Sequence, residues 1–151
     1  MIAFLEAAPG LIIDLVREMP RENLKRRPAP NKWSAHEHAC HISTGHEVFL
    51  ARLELMLSAP HPAIKSFVPS AEEEDGSLLR ADLDEVLSGY VRERAQVVER
   101  LKELSADDWQ RTAEHEAFSH YSVYIMFRDL LLHEMYHGYR IQELVLQTDW
   151  D

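Results

Sequence analysis

Apolar residues recur at helical spacing along four long segments of this chain, and no segment alternates convincingly with the two-residue period of a strand. Pro9 reads as the N1 residue of a first helix, where its missing N–H costs nothing. Leu11, Ile12, Leu15, Val16 and Met19 then follow at helical spacing, and Pro20 ends the run. A polar connector, RENLKRRPAPNK, leads to Ser34, an N-cap that forms a capping-box pattern with Glu37. The second helix is expected to run unbroken to about Leu57. Residues 58–76 hold three prolines and an acidic run, and read either as a functional loop or as a plain connector. Asp82 and Glu85 repeat the capping pattern before a third helix that carries Leu83, Leu87, Tyr90, Val97 and Leu101. LSADDW, Leu104 to Trp109, reads as a helix stop and tight turn. Ser122 caps a fourth helix with Phe127, Leu130, Ile141 and Leu144 on its apolar side. Four amphipathic helices without strands between them predict an all-α fold, a four-helix bundle, as one domain over residues 1–151.

Composition narrows the function classes. The net charge of −10 disfavours nucleic acid, whose phosphates need clustered Lys and Arg. No apolar run approaches the roughly 18 residues that would span a bilayer, and MIAFLEAAPGLIIDL lacks the basic start of a signal peptide. The single cysteine, Cys40, fits a reducing cytoplasm. Nine histidines are many for this length, and their positions decide what they do.

Residues 133–137 spell HEMYH. His133 and His137 are four apart, so they share one helix face about one turn apart and can bind one divalent cation. Leu130 and Ile141 flank them on the side expected to face the bundle. The same letters begin a zinc-protease signature, but the longer form of it needs Gly and His where this chain has Tyr139 and Glu143. The residues after His137 read as the end of the same helix, so a third ligand must come from earlier in the chain. His36, His38, His41 and His46 are the candidates. His41 shares a stripe with Gly45 and Val48, and Gly45 leaves room above it. His38 is the fallback ligand. His36 and His46 are expected to face solvent. Three imidazoles on two helices would leave open coordination positions.

The run RRPAPNKWSAHEHACH, followed much later by LLHEMYH, resembles the DinB-like superfamily of bundle metalloproteins, in its DinB_2-type branch. The resemblance covers nearly the whole chain and includes EAAPGLIIDLVREMP, LSADDW and HEAFSHYSV. It implies a DinB/YfiT-like four-helix bundle in which His41, His133 and His137 hold a divalent metal ion, zinc or nickel first, iron or manganese as alternatives. Where many members have Gly after the Phe of the H-x-x-F segment, this chain has Ser119. Several members are S-transferases or isomerases that use low-molecular-weight thiols such as bacillithiol, mycothiol or glutathione.

Two chemistries are open on this reading. A metal-held thiolate could attack an electrophilic small-molecule substrate, or metal-activated water could hydrolyse one. A non-catalytic metal-binding or small-ligand-binding stress protein is the alternative to an enzyme, and a structural dimer whose histidines only satisfy hydrogen bonds is a third reading. A homodimer fits all three. Glu134, about 80° around the helix from the histidine pair, is expected to be a general base or an imidazole-orienting partner, against a plain solvated surface role. His115 is a candidate proton shuttle, against a turn-stabilising or exposed histidine. Arg140 is expected to pair with Glu143, Cys40 to be a packing residue, and Trp33 to pack the connector on the bundle.

Overall fold

The computed structural model describes residues 1–66 and 76–150. Its first helix, α1, spans Ile2–Glu18. The second column of the bundle is made of two helices, α2 (Ala35–Ile42) and α3 (His46–Ser58). After β1 (Ala63–Ile64) and a 3-10 turn at Ser77–Arg80 come α4 (Leu83–Lys102) and the short α5 (Ala106–Gln110). Strands β2 (Thr112–His115) and β3 (Phe118–Ser122) precede α6 (Val123–Val145). Helices α1, α2–α3, α4 and α6 form the expected four-helix bundle. Of the 58–76 loop, residues 67–75 lie outside the described residues.

Four local expectations are corrected. Helix α1 begins at Ile2, with Pro9 inside it rather than at its start. An internal proline leaves the carbonyl four residues back without its helical N–H. Here that carbonyl belongs to Leu5, and Arg94 of α4 donates to it through Nη1 at 3.2 Å. The second helix is not continuous. Ser43 Oγ donates to the Ala39 carbonyl (2.7 Å) and Thr44 Oγ1 to the His41 carbonyl (2.9 Å), so both hydroxyls back-bond where the helix ends. Gly45 then takes a left-handed φ of +90°, which suits a residue without Cβ, and α3 starts afresh.

The third correction is a small sheet where no strand was expected. β1 runs parallel to β2, with Ala63 opposite Glu114 and Ile64 opposite His115. β2 and β3 form an antiparallel hairpin that pairs Thr112 with Ser122 and His115 with Phe118, with an irregularity between Ala113 and His115. Elements this short carry too few alternations to show a period. Ile64, Ala113 and Tyr121 are buried, so the sheet covers one end of the core. LSADDW, expected as a turn, contains α5, which Ser105 caps with a full capping box to Asp108.

The apolar core divides in two. One cluster gathers Leu5, Leu53, Val97, Met126 and Phe127; the other gathers Ile12, Ala39, Tyr90, Ile141 and Leu144. Each large apolar side chain so buried stabilises the fold by about 1.5–3 kcal/mol. Arg94 on α4 and Glu134 on α6 fall between members of the two clusters, and His46 falls between Ile42 of α2 and Leu53 of α3. All three are buried.

Helices α1 and α6 approach closely at Gly138, where an added Cβ would lie 2.8 Å from Ile12 Cδ1. The caps at Ser34, Asp82 and Ser122 stand as expected, Ser34 with the full capping box. Glu37, which closes that box, also accepts from Arg27 Nε at 2.9 Å and so ties the polar connector to α2. Among the described residues no helix is long and apolar enough to cross a membrane.

Candidate metal centre

The capping box fixes where α2 begins and therefore which way its histidines face. His41 comes from the last turn of α2, and His133 and His137 stand one turn apart on α6. Nε2 of His133 lies 3.1 Å from Nε2 of His137 and 3.3 Å from Nε2 of His41. One ligand atom from each of the three lies within 4.8 Å of the others. A cation about 2.0–2.1 Å from each nitrogen in a tetrahedral array sets neighbouring nitrogens about 3.3 Å apart. The two spacings to His133 fit that array, and the remaining pair lies within 4.8 Å.

Burial holds the His137 imidazole down at about 3, and the His133, His41 and His38 rings push in the same direction. The ring is neutral near pH 7, so a ring-nitrogen lone pair is available to a cation. His38, the fallback ligand, stands behind the cluster: its Nδ1 is 2.8 Å from Nδ1 of His137. Burial first, then the charges of Arg140 and His41, hold His38 down at about 4. Trp33 covers this group. Its ring is stacked on His137 (5.8 Å between centroids, 25° between planes) and lies 5.5 Å from His38 and 4.9 Å from His41.

The cluster opens on a cleft of about 350 Å³. His41 and His133 line it together with Val48, Phe49 and Arg52 of α3, Asp129 and Leu130 of α6, and His115, Phe118 and Tyr121 of the hairpin. Arg52 is held in place, with Nη2 donating to the Lys65 carbonyl at 2.7 Å and Cζ 5.8 Å from the centre of the Phe49 ring. His115 lies between Phe118 and Tyr121, with ring centroids 4.7 and 4.5 Å away. Its Nδ1 accepts the Ala117 N–H at 3.1 Å. A neutral His115 therefore carries its proton on Nε2 and is set as a donor.

Glu134 is placed elsewhere. It is 0% exposed, and its carboxylate accepts from Arg94 Nη1 (3.0 Å) and from Arg94 Nη2. Burial raises this carboxyl above its ordinary range, against the pull of Arg94. The expectation for His36 and His46 is overturned, because both are buried. His36 Nε2 lies 3.0 Å from the Leu78 carbonyl. His46 Nε2 accepts from Arg94 Nη2 at 2.8 Å. The break at Gly45 resets the rotation of α3, so a helical wheel continued from α2 misplaces His46. Arg140 pairs with Glu143 as expected. Cys40 is buried in the packing, and burial pushes its thiol up to about 11. Arg52, Tyr121 and the site-covering position of Trp33 were not foreseen. Only Trp33 left a signal: an aromatic just before an N-cap packs on the fourth helical residue, here His38.

The model of the DinB superfamily matches residues 5–141. Among solved structures, YfiT from Bacillus subtilis, described as a probable metal-dependent hydrolase with an unusual four-helix bundle topology, aligns with a TM-score of 0.86 at 20% identity, covering 99% of this chain and 86% of that one. The DinB-like protein YjoA from Bacillus subtilis aligns with a TM-score of 0.64 at 15% identity, covering 99% and 94%. At these identities the likeness establishes a shared fold. No curated protein matches this chain at a significant level.

Proposed function

This chain belongs to the DinB superfamily, and on that premise we propose that it is a divalent-metal-dependent enzyme acting on a small molecule. The observation that carries the reading is the convergence of His41, His133 and His137 through Nε2 at the mouth of a cleft. The description of YfiT as a probable metal-dependent hydrolase supports metal chemistry on this fold. A divalent cation held by the three imidazoles would supply Lewis acidity that lowers the pKa of a thiol or water beside it. Imidazoles alone select weakly among zinc, nickel, iron and manganese, and the general affinity order of divalent metals puts nickel and zinc above manganese and iron.

The chain's own residues do the rest. Arg52 offers a fixed cation to an anionic group of the substrate, and Phe49, Phe118 and Tyr121 line the apolar walls. His115, with its proton on Nε2, donates to the leaving group or to negative charge that develops on the substrate. Trp33 excludes water from one side of the histidine cluster. Glu134 sets the position of α6 from behind and does not act as the base, because Arg94 occupies its carboxylate.

That occupancy favours transfer to or from a low-molecular-weight thiol. A thiol whose pKa such a cation would lower could lose its proton directly to solvent near neutral pH, whereas attack by water is usually assisted by a protein base. Hydrolysis is the second reading, favoured by Asp129, an exposed carboxylate lining the same cleft. Leu132, Tyr136 and Tyr139 stand exposed along α6 and suit pairing into a homodimer. The acidic charge argues against nucleic acid as a partner, and the lone Cys40 suits a cytoplasmic setting.

The test is elemental analysis of untagged protein beside His41→Ala, followed by turnover with thiol-plus-electrophile and ester or amide panels. Near-stoichiometric metal lost in His41→Ala, with turnover on one panel, is the expected result. Wild-type protein that takes up no metal after reconstitution would sink the proposal.

A further inference from the structure

We propose that His38 is the positioning partner of His137: it accepts the His137 Nδ1–H and thereby presents His137 Nε2 as a lone pair to the cation site. This rests on the three-histidine metal site proposed above.

The two nitrogens of His137 face different neighbours. Nε2 lies 3.1 Å from His133 Nε2, and Nδ1 lies 2.8 Å from His38 Nδ1. A neutral imidazole carries one proton, so the two contacts are coupled. With Nε2 turned to a cation, the proton sits on Nδ1, and His38 Nδ1 is the acceptor at hydrogen-bond distance. His38 then keeps its own proton on Nε2. In the opposite arrangement His38 donates, the His137 proton moves to Nε2, and ligation through that atom is blocked. Cation binding and the direction of this hydrogen bond therefore select each other. Trp33 restrains both rings, stacked on His137 and edge-on to His38.

Metal-ligating histidines commonly donate their second N–H to a carboxylate or a backbone carbonyl. Here the nearest carboxylate in sequence, Glu134, is committed to Arg94, and the role falls to a neutral ring from another helix. The bond also ties α2 to α6 at the centre, so it sets His137 relative to His41 three residues along α2. A neutral acceptor adds no negative charge. The site thus keeps the full charge of a divalent cation and favours an anionic fourth ligand, such as a thiolate.

The experiment compares His38→Leu, His38→Asn and wild type. Asn places an acceptor oxygen where His38 Nδ1 stands, and Leu fills similar space without one. Zinc affinity is read by competition with a chromophoric chelator, and the His137 Nδ1–H by proton NMR of the zinc-loaded protein. Expected is an affinity about 10–100-fold weaker in His38→Leu, largely restored in His38→Asn. An exchange-protected imidazole N–H resonance should be present in wild type and His38→Asn and absent in His38→Leu. Circular dichroism of the zinc-free proteins checks that each variant folds, and His38→Asn keeps the test decisive if His38→Leu does not. Wild-type affinity in His38→Leu overturns the proposal while leaving the metal site intact. Equal loss of zinc from both variants makes His38 a ligand and also overturns it. Wild-type protein that binds no zinc fails the underlying metal reading, and the proposal falls with it.

Discussion

Arg94 of α4 donates to the Leu5 carbonyl of α1, the acceptor that Pro9 leaves without a helical partner. The same guanidinium donates to Glu134 on α6 and to His46 on α3. One buried side chain thus joins the other three columns of the bundle, behind the histidine pair. Removing one partner of a buried pair strands the other charge, at a cost of about 3–5 kcal/mol. Arg94→Met should therefore destabilise the protein by that order in urea unfolding. Adding Glu134→Met should recover much of the loss, because no charge is then stranded. A single-variant cost below about 1 kcal/mol would show that the network contributes little.

Gly138 lets α1 and α6 approach. Ala gains about 1 kcal/mol of helix propensity over Gly, but its Cβ would lie 2.8 Å from Ile12 Cδ1. Overpacking a core costs about 1–3 kcal/mol, so Gly138→Ala should lose about 1 kcal/mol net. Ile12→Val removes that methyl group and should relieve the clash, giving a favourable coupling of about 1 kcal/mol in a double-mutant cycle. Additive effects would mean that Ile12 moves aside freely.

Acid should destabilise the metal-free protein through His46. Burial, with the Arg94 charge, holds this ring down at about 4, against about 6.5 when unfolded. Between those values the unfolded state binds more protons, so stability rises with pH and falls as pH drops from about 6.5 toward 4. At pH 5 the loss from one such histidine is about 2 kcal/mol. The depressed His38 and His137 add to it in the same direction. His46→Gln should flatten the pH dependence measured by denaturant titration. An unchanged slope would remove His46 from the account.

Saturating zinc should raise the melting temperature of wild type, since a ligand that binds only the folded state stabilises it by about 2.7 kcal/mol at one hundred times its Kd. In a domain of this size that is a shift of several degrees, on the order of 5–10 °C. Excess chelator should reverse it, and His133→Ala should abolish it. A shift that survives in His133→Ala would place the cation elsewhere.

The bundle was legible in the sequence because its signals are local and repeated. Apolar spacing over three or more turns, with Ser34, Asp82 and Ser122 as caps, is enough to mark its helices. The pairing of His133 with His137 is equally local, since a four-residue step is one helical turn. That His41 meets this pair across the bundle was expected from its stripe and from the family resemblance. Other features depended on what lies across the bundle. Pro9 could sit inside α1 because Arg94, 85 positions later in the chain, supplies the missing donor. His46 could be buried because α3 restarts at Gly45 and turns it toward Arg94 and Glu93. Glu134 became an ion-pair partner, and His38 a neighbour of His137, only through α4 and α2 packing on α6. The short strands owe their pairing to one another rather than to any period of their own. Periodicity determines which face of an element is apolar; the partner of a buried polar group is decided by whichever element meets that face.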